Sequence, residues 1–419
     1  MNVPWQMQSS APFIKLGYGV MWSAYFFTTI TCAGSGQRHP STPSILPPSA
    51  IDHDSTPTRP LLSPTEEANY TVLAYLEKAG DVFFPVIDRW DPRAGAGEVR
   101  TMTPTFQVAQ SGGTHTTVQA AIDAAVAVGG NQRIYIKLAP GTYREVVCVP
   151  TQAPPITLFS TEVDVRATSI VFDNYSGKPK LKGTPANPCE PNLQNETFST
   201  FGSATFAVYA NDFAAKNVTF INDTDEANAK GAIQAVALMT RGDRLIFDQV
   251  GVLGHQDTLF VKTPNVATVS RIYFKDCYIE GDVDFIFGRG TLVLDRCTIH
   301  SLNQRTRHGV ILAPSTDSRN PYGFLVTHST FTAEHGTAPG SIHLGRAWDE
   351  RQVDLATFKH HVLSGVYPNG QAVIRDSTLG PHIHPLAPWK AAATTHRPYS
   401  STAGTYPANR FAEAKNRTP

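Results

Sequence analysis

The chain has 419 residues, 35 Lys and Arg against 35 Asp and Glu, and only 17% charged residues. That length supports one large domain or two modest ones. The even charge balance argues against a dedicated nucleic-acid binder, and 31 Gly with 31 Pro tilt the chain toward a turn-rich β protein.

Residues 16–32 carry no charge and follow Lys15, as the apolar core of an export signal or a short anchor would. Residues 1–33 are therefore expected to be a signal or anchor, which puts the protein in the secreted or cell-envelope class. Residues 34–66 are rich in Pro, Ser and Thr and cannot bury a core, so they read as a linker. The globular domain is expected over 67–419.

One amphipathic helix stands out over 116–128. Val118, Ala121, Ile122, Ala125 and Val126 recur at helical spacing, with Thr116 or Thr117 as N-cap and Gly129-Gly130 as the stop. Short strands dominate beyond it, including 133–138, 156–159, 204–209 and 235–239, separated by Gly, Asn and Asp turns.

A short phrase recurs: Asn217-Val-Thr-Phe, Gln249-Val-Gly-Val, Asp276-Cys-Tyr-Ile, Arg296-Cys-Thr-Ile, His328-Ser-Thr-Phe and Asp376-Ser-Thr-Leu. The intervals of 32, 27, 20, 32 and 48 residues fit a solenoid with variable loops. The β-rich phrase makes that solenoid a parallel β-helix, with the helix covering its open end; a β-sandwich is the competing architecture. Cys277 and Cys297 fill the same slot of consecutive phrases. Stacked coils would bring them roughly 4.8 Å apart, within reach of a bridge that an exported protein could form. Cys148 and Cys189 offer no such geometric argument.

No G-x-S-x-G, H-E-x-x-H, C-x-x-C or Walker A sequence is present. What remains is a set of amides and acids opening apolar runs: Gln234, Gln256-Asp257 and Asp284. Intervals of 22 residues from Gln234 to Gln256, and 27 from Asp257 to Asp284, are close to one coil each, so stacking would gather them on one face. Two readings are open at this point. The aspartates could cap turns, or they could form an acid pair of the kind used by esterases and glycoside hydrolases alike.

These phrases resemble the pectin methylesterase (pectinesterase) family. Gly141-Thr-Tyr-Arg-Glu145, Gln234 to Leu238, Gln256 to Leu259, Asp284 to Gly288 and Leu344-Gly-Arg-Ala-Trp348 are similar to its five signatures, in order. The likeness extends to Gly202-Ser-Ala-Thr-Phe, the Cys277/Cys297 pair and Asn409-Arg-Phe-Ala-Glu, covering residue 105 to the C-terminus. It departs at Ala347, where the family has proline.

The resemblance implies an all-β, right-handed parallel β-helix and the hydrolysis of methyl esters of polygalacturonate. Asp284 would be the nucleophile and Asp257 the general acid and base. Gln256 and Gln234 would stabilise the oxyanion, and Arg346 would hold Asp284 ionised. Trp348, Phe287 and Thr205 are the expected substrate-binding residues, and Tyr143 and Glu145 the scaffold. Neither a cofactor nor a metal is implied. The implied partner is methyl-esterified homogalacturonan, with no nucleic acid, a monomer, and membrane contact only through an N-terminal anchor. Gly281-Asp-Val-Asp and Asn320-Pro-Tyr-Gly-Phe also resemble a Gram-negative envelope subgroup credited with other acyl-ester or thioester activity. Hydrolysis of such an ester and non-catalytic saccharide binding are the alternative functions.

Overall fold

The recurring phrase is a corner of the chain. In the computed structural model, Asn217, Gln249, Asp276, Arg296, His328 and Asp376 all adopt left-handed backbone, with φ between 50° and 55° for five of them and 56° for Arg296. Asn, Asp and His tolerate that conformation better than most side chains. Each turns the chain from a strand of one sheet into a strand of the next; Leu245–Asp248, for example, ends one residue before Gln249, and Gly251–Leu253 begins two residues after it. The fourth residue of every phrase (Phe220, Val252, Ile279, Ile299, Phe331, Leu379) points inward and is at most 1% exposed.

The structure describes residues 58–418 apart from 182, 184, 192–193, 304–308 and 403–405. The expected signal or anchor, and the expected linker up to residue 57, lie outside the described residues. Three stacks of parallel strands, of ten, eight and eight, are visited in rotation, each strand pairing with its counterpart one coil away. That is a parallel β-helix. Stacks of Phe206, Phe220, Phe247 and Phe274 fill the interior, the last two with ring centroids 4.5 Å apart.

Helix Val118–Val128 sits at the first coil as expected, capped by Thr117 and closed at Gly129 in positive φ. Its buried face is Val118, Ala121, Ile122 and Ala125. The scaffold roles of Glu145 and Tyr143 become specific here. The Glu145 carboxylate accepts the N–H groups of Val118 and Gln119 at 2.8 and 3.0 Å, satisfying the helix start. Tyr143 donates its hydroxyl to the carbonyl of Ala139 at 2.8 Å. On the outside, Leu62, Tyr70, Tyr75 and Leu76 cover Tyr273, Val293, Leu325 and Val373 of the ten-stranded sheet.

The expected Cys277–Cys297 bridge is corrected: both thiols are free and buried. The slot they share is a donor position. Cys277 and Cys297 direct Sγ to the carbonyls of Lys275 (3.1 Å) and Asp295 (3.6 Å), two residues back. Ser329 and Ser377 fill the slot on later coils and donate to the equivalent carbonyls of Thr327 and Arg375. Each side chain thus satisfies its own corner. The disulfide joins Cys148, on strand Val147–Val149, to Cys189 across 41 residues of sequence. A closed loop of that length stabilises a fold by roughly 3–4 kcal/mol.

His382 ties stability to pH. It is 3% exposed, and its Nε2 has no hydrogen-bond partner among the described residues. Burial, aided by His300, pushes its pKa down to about 4 from 6.5. Between those values the unfolded chain binds the proton and the folded chain does not. Stability should therefore fall as pH drops from about 6.5 to about 4, by up to about 3 kcal/mol. Urea midpoints across pH 4–7 check this; His382→Gln is expected to flatten the slope.

Candidate active site

One of the two eight-stranded stacks gathers the candidate residues. Gln234 precedes strand Leu238–Thr240, Gln256-Asp257 precedes Leu259–Val261, Asp284 and Phe287 lie on Val283–Gly288, and Arg346 ends His343–Arg346. The first three strands are consecutive in the stack and the fourth lies one strand, Val310–Pro314, beyond them, so residues far apart in sequence come together. The backbone continues the stacking at the mouth: Ala235 N–H donates to the Gln256 carbonyl at 3.1 Å, and Asp257 N–H to that of Val283 at 3.2 Å.

Both aspartates sit in left-handed backbone, at φ 66° for Asp257 and 49° for Asp284. Parallel pairing between Val283–Gly288 and Val310–Pro314 shifts register between Val283 and Ile286, so Asp284 occupies a bulge. Bulges re-aim side chains, and unfavourable φ values of this kind cluster at functional sites. Gly288 ends the strand at φ 121°, where an added Cβ would lie 2.0 Å from the Val261 carbonyl oxygen.

Arg346 and Asp284 form a two-pronged pair, with Nε 2.8 Å from Oδ1 and Nη2 2.5 Å from Oδ2. Their side chains are 22% and 12% exposed, so the pair is largely desolvated and its geometry matters. Burial opposes the charge of Arg346, but its bonds to Asp284 and the nearby Asp257 carboxylate push the guanidinium pKa up. The Oε1 of Gln234 is buried with no hydrogen-bond partner among the described residues. An amide kept that way is a candidate for contact with a ligand.

Gln234, Gln256, Asp257, Asp284, Arg346, Phe287 and Trp348 all line one cleft of about 300 Å³. The aromatic side is a row: the Phe260 and Phe287 rings stack at 4.2 Å, Phe201 lies 5.2 Å from Phe260, and Trp348 lies 5.6 Å from Phe287. Thr205 is not part of it. It is fully buried, with its hydroxyl directed to the Phe172 carbonyl at 3.4 Å, and so is corrected from substrate contact to core.

A family profile described as Pectinesterase matches residues 105–372. The chain is 43% identical over 378 residues to a pectinesterase of Ralstonia solanacearum, covering 89% of this chain and 94% of the relative. The chain belongs to the pectinesterase family. The family's members are carboxylic-ester hydrolases. A putative acyl-CoA thioester hydrolase of Escherichia coli is also similar, 32% identical over 87% of this chain and 86% of its own.

Among solved structures, rice weevil pectin methyl esterase superposes with a TM-score of 0.75 at 29% identity, covering 88% of this chain and 99% of that one. A pectin methylesterase crystallised with a hexasaccharide superposes with a TM-score of 0.59 at 25% identity, over 76% of this chain and 90% of that one.

Within this family member, sequence reading missed Phe201, Phe260, Thr200, Ala313, Ala393 and Thr394 in the cleft lining. Phe260 was within reach, since the register pairs it with Phe287. Ala393 and Thr394 arrive on a C-terminal loop with no local signal. Ala347, the departure from the family's proline, is 1% exposed, and its carbonyl accepts Ala393 N–H at 2.8 Å. It therefore ties that loop to the cleft. Glu226, His255 and Asp282 bring potential metal-ligand atoms within 4.8 Å of one another; none of the cleft-lining residues belongs to this group. Among the described residues, no helix is long and apolar enough to cross a membrane.

Proposed function

We propose that the protein hydrolyses methyl esters of polygalacturonate, giving pectate and methanol. The observation that carries this reading is the desolvated Asp284 carboxylate, held two-pronged by Arg346 beside Asp257 and an aromatic row. A sugar polymer offers flat apolar faces to such a row, and its esters the carbonyl carbon that a carboxylate attacks.

In the first half of the reaction an Asp284 oxygen bonds to the ester carbonyl carbon. The oxyanion that develops faces the side-chain amides of Gln234 and Gln256, an arrangement worth about 3–4 kcal/mol per donor in other hydrolases. Asp257, protonated, gives its proton to the departing methoxide, and methanol leaves an acyl anhydride on Asp284. In the second half Asp257, now a carboxylate, takes a proton from water. The resulting hydroxide attacks the acyl carbon, the anhydride breaks, and Asp284 leaves as a carboxylate with Asp257 protonated again. The two donors of Arg346 orient the Asp284 carboxylate for attack and receive it again when the anhydride breaks.

The uncharged segment 16–32 and the disulfide support work outside the cytoplasm, where methyl-esterified homogalacturonan would be met by a monomer. A second reading, hydrolysis of an acyl thioester, is favoured by the similarity to the E. coli relative. Both substrates should be offered to the same preparation. Methanol from highly methylated pectin, with free thiol from acyl-CoA at least about a hundredfold slower, is expected. The reverse ranking would move the protein to the second reading.

A further inference from the structure

Two pieces of the cleft wall that lie far apart in sequence are fastened to one buried carboxylate. Trp348 and Thr394 both line the cleft. Asp349 directly follows Trp348, Thr395 directly follows Thr394, and Arg397 stands two residues further on. The Asp349 and Arg397 side chains are fully buried. Arg397 Nη2 donates to Asp349 Oδ1 and its Nε to Oδ2, both at 3.0 Å. The Thr395 hydroxyl donates to Oδ2 at 2.6 Å and accepts the Arg397 N–H at 3.2 Å.

The local backbone serves the same junction. His396 is left-handed, with φ 56°, and the side chains on either side of it reach the same carboxylate. Ala392 N–H donates to the Arg397 carbonyl at 2.9 Å, closing the loop on itself, and Ala393 N–H reaches the Ala347 carbonyl. On its far side Arg397 bonds to Asn409 Oδ1 and lies 4.7 Å from the centre of the Phe358 ring, on helix Leu355–Ser364. A buried ion pair is weak ground for stability, because apolar residues of similar volume often serve as well or better. What this pair supplies is one arrangement: its two-pronged geometry fixes where residues 393–394 stand relative to Trp348.

We propose that Asp349 is a positioning residue for the substrate. Through Thr395 and Arg397 it sets the gap between Trp348 and the wall formed by Ala393 and Thr394, and so the fit of a sugar chain against the Trp348 ring. The inference rests on the pectinesterase reading for the nature of that chain. Asp349, Thr395 and Arg397 stand outside the cleft lining, so they act only through their neighbours. Loosening the wall should weaken binding along the cleft while the groups around Asp284 stay in place. That change shows in KM more than in kcat.

The test is a double variant, Asp349→Leu with Arg397→Met, which removes both charges together and keeps the site largely filled. Its urea midpoint should stay close to that of wild type, since neither charge is left uncompensated. KM for methylated pectin should nevertheless rise about three- to tenfold, the worth of one aromatic contact, with kcat within about twofold. The backbone amides of residues 392–397 should exchange hydrogen about tenfold faster. A role confined to stability predicts the opposite pattern, a lowered midpoint with KM unchanged. Wild-type KM, or unchanged exchange, would overturn the proposal. Thr395→Val, which removes one bond to Asp349 at nearly constant volume, keeps the test decisive if the double variant folds poorly. KM should rise in it and be restored in Thr395→Ser, and a wild-type KM in the Val variant would equally overturn the proposal. Hydrogen exchange needs no substrate. Faster exchange over 392–397 would support the clamp even if wild type released no methanol, a result that would count against the esterase reading instead.

Discussion

Asp284→Asn is expected to lower kcat for methanol release from methylated pectin by at least about four orders of magnitude, as removal of a nucleophile does elsewhere. The amide has nearly the shape of the carboxylate but no charged oxygen to attack the ester. It also tolerates the left-handed backbone found at Asp284, φ 49°, better than most residues would. Arg346 would lose one of its two bonds to this side chain, since an amide nitrogen cannot accept. A moderate fall in melting temperature should follow, with the far-UV spectrum kept. Activity within about tenfold of wild type would remove Asp284 from the nucleophile's role.

Arg346→Met should be the next most damaging change. Removing one partner of a desolvated ion pair leaves the other charge uncompensated, a loss of about 3–5 kcal/mol where such pairs have been broken. Asp284 would also lose both donors that orient its carboxylate for attack. A drop of about a hundredfold or more in kcat is expected, with KM changing far less. Arg346→Lys separates charge from geometry. It restores the cation without the fork, so intermediate activity would show that orientation by two parallel bonds matters beyond ionisation. A Met variant with wild-type kcat would mean that Arg346 is not what prepares Asp284 for attack. Stopped-time methanol assays with urea unfolding of each variant supply both numbers.

The coils were legible because a corner needs a particular residue. The phrase that begins at Asn217 and returns through Asp376 marks the left-handed position, and its fourth residue marks the core. Four polar site residues, Gln234, Gln256, Asp257 and Asp284, were legible because spacing of about one coil puts them on one face. The cysteine pairing was misread for a related reason: sharing a slot sets proximity, not bonding. The serines in that slot show what it asks for, a donor to the carbonyl two residues back. Cys189 and Glu190 lie on an excursion from the coils, where periodicity says nothing. Thr205 failed similarly, because likeness over Gly202-Ser-Ala-Thr-Phe does not say which side chains face the cleft. Its hydroxyl turns to the Phe172 carbonyl instead. Arg346 and Trp348 came from resemblance alone, with no period to reveal them.

Methanol and reducing ends, followed together during incubation with highly methylated polygalacturonate, test the central claim most directly. Methanol should appear one for one with new carboxylates, while reducing ends stay at their starting level. New reducing ends without methanol would contradict ester hydrolysis and assign the paired carboxylates of the cleft to glycosidic cleavage.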